Sequence, residues 1–131
     1  MSEAPSQEPT GFFWTELNCA DTAAAREYCA ETYGWTFVDS STESGGEYWF
    51  ALENGKPIAG LLPRPDGYEE SDDFWVPYFA VEDVDAACDV AVKKGAKIIR
   101  PLWDVPDTGR RVVLKSPSGD LIALMTPFSG R

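Results

Sequence analysis

One carboxylate stands in an otherwise apolar and aromatic stretch near the start of the chain. Residues 12–18 read Phe-Phe-Trp-Thr-Glu-Leu-Asn, and the carboxylate is Glu16. Side chains alternate between the two faces of a strand, so Trp14, Glu16 and Asn18 are predicted to share one face, with Leu17 on the other. A buried carboxylate without a partner costs several kcal/mol, so Glu16 needs a hydrogen-bond or charge partner.

The partner of Glu16 decides which chemistry it supports. The sequence offers Arg111, Arg110, Tyr78 or the amine of a ligand. Without a nearby cation, burial favours the protonated acid, which suits a general acid or base and a cationic ligand. Beside Arg111, the carboxylate stays ionised and the site prefers an anionic or polar ligand.

Further candidate site residues come from other predicted strands, and aromatic side chains dominate among them. Small-molecule sites are often aromatic-walled cavities with few polar groups. The alternative is that these aromatic residues form the hydrophobic core. The predicted ligand-binding residues are Trp14, Glu16, Asn18, Tyr48, Phe50, Tyr78, Arg111 and Met125.

The chain contains no histidine, and this excludes several chemistries. Neither a Ser/His/Asp nor a Cys/His arrangement is possible, and no glycine-rich phosphate loop is present. The three cysteines, Cys19, Cys29 and Cys88, lack the spacing of a zinc site or a disulfide framework. We therefore expect them to be small buried hydrophobic residues.

An internal repeat positions these residues. Asp21 and Asp83, which are 62 residues apart, each follow an aromatic strand-like stretch and precede an alanine-rich helical run. A second pair of similar segments, residues 54–61 and 118–125, is 64 residues apart. Two segments that repeat at nearly one spacing indicate a duplicated module of about 60 residues.

Each module is predicted to run β-α-β-β-β. Helices are expected at residues 22–33 and 84–94, because Asp21 and Asp83 are good N-caps and Gly34 and Gly95 are helix terminators. The inward positions are expected to be Ala24, Ala25, Tyr28 and Cys29 in the first helix and Val84, Ala87, Cys88, Ala91 and Val92 in the second. Strands are expected at residues 12–18, 35–38, 47–52, 57–62, 74–81, 97–102, 110–115 and 121–125.

Composition and charge narrow the class of protein. The 131 residues have a net charge of −11, which repels nucleic acid and anionic lipid alike. Without an apolar run of about 20 residues or a signal peptide, we expect an acidic, cytoplasmic, soluble protein. Residues 1–10 are predicted to be a flexible tail and residues 11–126 one domain, with modules at about 11–63 and 74–126 and a linker at 64–73.

The order and spacing of several short segments resemble the vicinal oxygen chelate superfamily, which includes glyoxalases, extradiol dioxygenases, and fosfomycin and bleomycin resistance proteins. The segments are residues 81–87, 91–96, 105–110 and 115–120, the last reading Lys-Ser-Pro-Ser-Gly-Asp. The resemblance implies an α+β fold in which two tandem βαβββ modules form a cup-shaped, curled mixed sheet with the helices outside. It also places the ligand inside the cup.

The resemblance allows a specific test, namely whether this sequence carries the metal ligands of the family. Family enzymes that use a metal carry His seven residues before the helix-capping Asp and Glu four residues after the last turn glycine. Here these positions fall on Trp14 and its repeat Val76, and on Ala123 and its counterpart Ala59. None can bind a divalent ion, so we expect a metal-free subgroup without a cofactor.

Two functions follow as hypotheses. The first is a small-molecule-binding protein of the bleomycin resistance type, which takes an aromatic or polar organic ligand without a metal. The second is a metal-independent isomerase or lyase with Glu16 as general acid or base. Family members of this size commonly pair two chains, and Phe12, Phe13, Trp49, Trp75 and Trp103 exceed what one small core holds, so we expect a homodimer.

Overall fold

The computed structural model describes residues 12–41 and 46–128, with side chains from residue 14 onward. The described residues divide into two compact units. Residues 14–77 form the first unit, and residues 78–128 together with 12 and 13 form the second. The predicted tail at residues 1–10 lies outside the described residues, and the predicted limits of the domain, modules and linker stay predictions.

The first module has the predicted order β-α-β-β-β. Its elements are β1 (Phe12–Cys19), α1 (Thr22–Tyr33), β2 (Thr36–Asp39), β3 (Trp49–Glu53) and β4 (Lys56–Pro63). Its strands lie in the order β2-β3-β4-β1, with β1 parallel to β4 and the other neighbours antiparallel. The parallel pair requires a crossover, and α1 lies in it.

The second module repeats this order. Its elements are β5 (Phe74–Ala80), α2 (Val84–Lys93), β6 (Lys97–Val105), β7 (Gly109–Lys115) and β8 (Leu121–Pro127). Its strands lie in the order β5-β8-β7-β6, and β5 is parallel to β8. The predicted α+β class, with two tandem βαβββ modules, is therefore confirmed.

Both helices begin as the sequence predicts. Asp21 accepts a hydrogen bond from the backbone N–H of Ala24 at 3.0 Å, and Asp83 accepts one from Ala86 at 3.1 Å. Gly34 ends α1 in the left-handed region at φ 79°, a conformation that glycine adopts without the clash of a Cβ. Aspartate caps and a glycine stop are local signals, which explains why these limits could be read from sequence.

The hydrophobic core of the second module lies between α2 and one face of its sheet. Val84 and Cys88 pack there with Val112 and Leu114. Three predicted inward helix positions are wrong: Val92 is 43% exposed, Tyr28 of α1 is 59% exposed, and Ala24 of α1 is exposed as well. Each helix buries a narrower stripe than its apolar residues suggest.

Strand β6 is longer than predicted. It continues through Asp104 and Val105, which pair with Arg110 and Gly109 of β7, where the sequence suggested a loop. The backbone pairing across the hairpin extends the strand despite the prolines nearby. Across residues 12–41 and 46–128, no helix is long and apolar enough to span a membrane.

All three cysteines are buried free thiols. Burial is the main cause that raises the pKa of Cys19 to about 12, and it also raises the pKa values of Cys29 and Cys88. The prediction that they are small buried hydrophobic residues is confirmed. Because the thiolate is the reactive species, none of the three is expected to be a nucleophile in the folded protein.

We predict that a thiol reagent such as Ellman's reagent at pH 8 modifies the native protein slowly at all three cysteines. In denaturant, where the thiols regain an ordinary pKa, three equivalents should react at once. Fast reaction of one cysteine in the native state would contradict the burial seen here. A cysteine-to-serine variant at that position would identify the reactive thiol.

Candidate functional site

The predicted face of β1 is present. Glu16 is 6% exposed and Asn18 is 2% exposed, while Leu17 lies on the opposite face with the residues that contact α1. In the parallel pairing with β4, Glu16 lies beside Gly60 and Asn18 beside Leu62. A carboxyl and an amide side chain are therefore buried on the sheet face away from the helix, a location that requires hydrogen-bond partners.

A chain of hydrogen bonds connects four predicted site residues. The Tyr48 hydroxyl donates to Glu16 Oε2 at 2.6 Å, and it accepts from Trp14 Nε1 at 3.0 Å. Asn18 Nδ2 donates to the backbone carbonyl of Glu16 at 3.2 Å. A phenol hydroxyl can donate one hydrogen bond and accept another, so Tyr48 connects the indole N–H of Trp14 to the carboxyl group of Glu16.

Aromatic rings enclose this polar chain. Phe50 contacts Trp14 with ring centroids 5.9 Å apart and Tyr48 with centroids 5.5 Å apart, both edge to face at 72°. Edge-to-face pairs in this distance range are favourable beyond the area they bury. The structure thus gathers Trp14, Glu16, Tyr48 and Phe50 into one cluster, which we call the inner cluster.

The inner cluster depends on a residue without a side chain. A Cβ built on Gly60 would lie 1.8 Å from the Tyr48 hydroxyl oxygen and 2.3 Å from its Cζ. Gly60 also pairs with Phe50 on β3. Only glycine leaves room for the end of the Tyr48 ring, and the sequence analysis did not identify this position.

Gly60, rather than Ala59, is the first-module counterpart of Ala123. Glu16 pairs with Gly60, and Tyr78, its repeat 62 residues later, pairs with Ala123. The assignment to Ala59 was wrong by one residue because β4 carries an irregularity opposite Ala51 and Leu52 of β3. A bulge inserts one residue and turns the following side chains to the other face.

The other three predicted site residues lie in the second unit. Tyr78 and Met125 are buried, at 2% and 4% exposure, and Arg111 pairs with Met125 across β7 and β8. Arg111 and Met125 alternate with Val112 and Leu124, which pack toward α2, and Tyr78 pairs with Ala123, so all three occupy the sheet face away from the helix. The eight predicted residues therefore form two sets, one in each unit.

One hydrogen-bond partner of Glu16 is Tyr48, which the sequence analysis placed in the site but did not consider as a partner of Glu16. Arg110 instead binds Asp85 and Asp104, each at 3.0 Å, and these hydrogen bonds raise its pKa above the ordinary value. Arg111 donates to the carbonyl of Pro101 at 2.5 Å. The two arginines expected as partners are thus engaged elsewhere.

The residues do not fit the family's metal site. Trp14, Gly60, Val76 and Ala123 occupy the ligand positions, and none carries a carboxylate or imidazole. Within the described ranges, no group of three His, Cys, Asp or Glu side chains lies close enough to hold an ion. At Gly60, the volume that a ligating side chain would need is filled by Tyr48.

Comparison with known proteins gives consistent results for the family. The family model described as Glyoxalase/Bleomycin resistance protein/Dioxygenase superfamily matches residues 11–124. A putative glyoxylase, CFP32, of Mycobacterium tuberculosis is 34% identical over 113 residues, which are 85% of this chain and 43% of that protein. The anthracycline biosynthesis protein DnrV of Streptomyces peucetius is 28% identical over 123 residues, covering 85% of this chain and 45% of that protein.

The chain spans less than half the length of these curated relatives. Among solved structures, methylmalonyl-CoA epimerase from Mycobacterium tuberculosis superposes with a TM-score of 0.61 and 17% identity, covering 95% of this chain and 93% of that one. Identity at that level shows the fold alone. The family model and the CFP32 relative together show that the chain belongs to the glyoxalase/bleomycin resistance protein/dioxygenase superfamily, the vicinal oxygen chelate family.

Proposed function

We propose that this chain is a small-molecule-binding protein that takes an aromatic or polar organic ligand against the inner cluster, without a metal. One observation carries the proposal: the buried Glu16 carboxylate is held at a defined position by Tyr48, among the rings of Trp14 and Phe50. Few, well-placed polar groups on aromatic walls are typical of ligand sites.

The residue types of the inner cluster support the ligand class. Trp14, Tyr48 and Phe50 offer ring faces and edges for stacking, while Glu16 and Asn18 offer hydrogen bonds that fix orientation. In the second unit, Tyr78, Arg111 and Met125 stay predicted ligand-binding residues. The name of the relative DnrV, an anthracycline biosynthesis protein, is compatible with an aromatic ligand.

The second candidate function is a metal-independent isomerase or lyase with Glu16 as general acid or base. The observation in its favour is the 2.6 Å hydrogen bond between Glu16 Oε2 and the Tyr48 hydroxyl. A carboxylate abstracts a proton more effectively when a positioned hydroxyl group can polarise the substrate oxygen that gains charge. In this reading, Tyr48 turns from Glu16 to the substrate.

We predict that Glu16→Gln loses the bound ligand. Native mass spectrometry of protein freshly purified from its cells should show one small molecule per chain in the wild type. The matched control is Glu53→Gln, which removes an exposed carboxylate from the same module and should retain the ligand. Equal occupancy in all three proteins would contradict the binding role of Glu16. Retained binding with turnover reduced at least about 100-fold would support the enzyme instead.

We predict that Gly60→Ala lowers the free energy of unfolding by about 1–3 kcal/mol, because the new methyl group overlaps the Tyr48 ring. The matched control is Gly46→Ala, whose Cβ meets no heavy atom within 4 Å and which should be nearly neutral. Chemical denaturation measures both variants.

A double variant separates this clash from a general effect of alanine at position 60. In a Tyr48→Phe background, Gly60→Ala should still lower the free energy of unfolding, because Cζ alone lies 2.3 Å from the added Cβ. In a Tyr48→Ala background the cost should largely disappear, since residues in contact are non-additive. Additive losses in both backgrounds would show that Tyr48 does not occupy the space above Gly60.

We also propose that the protein forms a homodimer, with Trp103 in the interface. Trp103 and Ile98 lie on β6, the edge strand of the second module, and are 45% and 48% exposed. An edge strand with exposed apolar side chains is a natural pairing surface. Trp49 is less accessible to a partner chain than expected, because the Arg26 guanidinium stacks on its ring at 3.7 Å from the ring centroid.

We predict a sedimentation mass of twice 14.4 kDa at micromolar concentration and a shift toward the monomer in Trp103→Ser. Removing an exposed tryptophan elsewhere, as in Trp75→Ser, serves as the control and should leave the mass unchanged. A wild-type mass near that of one chain throughout this concentration range would refute the dimer.

A further inference from the structure

An open groove of about 470 Å³ lies on the helix side of the first module. Leu17 of β1 and the buried Cys29 of α1 line its apolar part. Because Leu17 alternates with Glu16 along β1, the groove is on the face opposite the inner cluster. Its volume falls within the range of about 300–1,000 Å³ that is common for small-molecule sites.

A row of aromatic rings borders the groove. Tyr28 and Tyr33 contact edge to face at 5.9 Å, Tyr33 contacts Trp35 at 4.8 Å, and Trp35 contacts Trp75 at 6.4 Å. Tyr28, Tyr33 and Trp75 line the groove and are 59%, 50% and 43% exposed. Mutual ring contacts fix these side chains while leaving part of each ring open to a ligand.

Two carboxylates face the same groove, and none of the described residues that line it is a lysine or arginine. Asp21 accepts a hydrogen bond from the backbone N–H of Ala24 at 3.0 Å, and Asp73 accepts one from that of Ala20 at 3.1 Å. Across the part of the chain that the structure describes, neither forms an ion pair. The field of these charges reaches the interior, since Asp73 is the largest cause after burial of the raised pKa of Cys19.

We propose that this groove binds a small organic cation, an ammonium group that carries an apolar or aromatic substituent. The ammonium group lies between the Asp21 and Asp73 carboxylates and the exposed ring faces, and the substituent lies against Leu17. Aromatic faces attract cations, and two carboxylates without a cation partner add a complementary charge.

The test uses benzyltrimethylammonium as the probe, with benzyl alcohol and phenylacetate as neutral and anionic comparisons. In two-dimensional NMR of ¹⁵N-labelled protein, the indole signal of Trp75 should shift and saturate at millimolar probe. Trp103 is the internal control, since it lies outside the groove. Benzyl alcohol should bind more weakly and phenylacetate should leave Trp75 unmoved, and added salt should weaken the binding of the cation.

Two variants of equal charge change locate the site. Asp73→Asn should reduce the affinity for the probe about two- to fivefold, whereas Asp72→Asn, next to it but outside the groove, should leave it unchanged. Trp75→Leu should reduce the affinity by a similar factor, about two- to fivefold. Should Asp73→Asn fold poorly, Asp21→Asn replaces it, because asparagine is an equally good N-cap.

Several results would overturn the proposal. These are equal binding of phenylacetate, equal losses in Asp72→Asn and Asp73→Asn, and a Trp75 shift that follows protein concentration without probe, which would place a second copy in the groove. Glu16→Gln should leave the binding of the probe unchanged. The groove proposal and the proposed function therefore fail independently.

Discussion

A buried carboxylate must be hydrogen-bonded, and this requirement determines the neighbours of Glu16. Its partner Tyr48 lies 32 residues away in sequence and reaches it across β4, at 2.6 Å. The approach is possible only because Gly60 lies between them without a side chain. The indole N–H of Trp14 then donates a hydrogen bond to the hydroxyl oxygen of Tyr48. One buried carboxyl group thus constrains three other residues.

The pairing of the strands explains why these residues meet. Parallel pairing of β1 with β4 puts Gly60 beside Glu16, and antiparallel pairing of β4 with β3 puts Phe50 beside Gly60. The second module pairs β5 with β8 in the same sense, but there Ala123 occupies the position of Gly60. The two modules share the same strand pairing. They differ at this position because different side chains must fit above it.

Local signals made most of the fold predictable, whereas the contacts inside the site were not. Alternation in β1 and the aspartate caps at Asp21 and Asp83 depend on neighbouring residues, so sequence was sufficient. The partner of Glu16 and the bulge in β4 depend on residues distant in sequence. The same limit explains why Tyr28 and Val92 were wrongly predicted to point inward, since periodicity identifies an apolar stripe but not how far the sheet covers it.

The two faces of β1 lie beside different numbers of carboxyl groups, and this distinguishes the two proposed sites. On the inner face, Tyr48 donates directly to Glu16, so a ligand there exchanges one hydrogen bond for another and is selected by shape and ring contacts. On the helix side, two carboxylates, those of Asp21 and Asp73, line one groove, and each accepts a hydrogen bond from a backbone N–H group. A neutral N–H or hydroxyl donor leaves the charge of a carboxylate in place, so the two sites differ in the number of carboxyl groups that they offer to a cation, although both are built on the same strand.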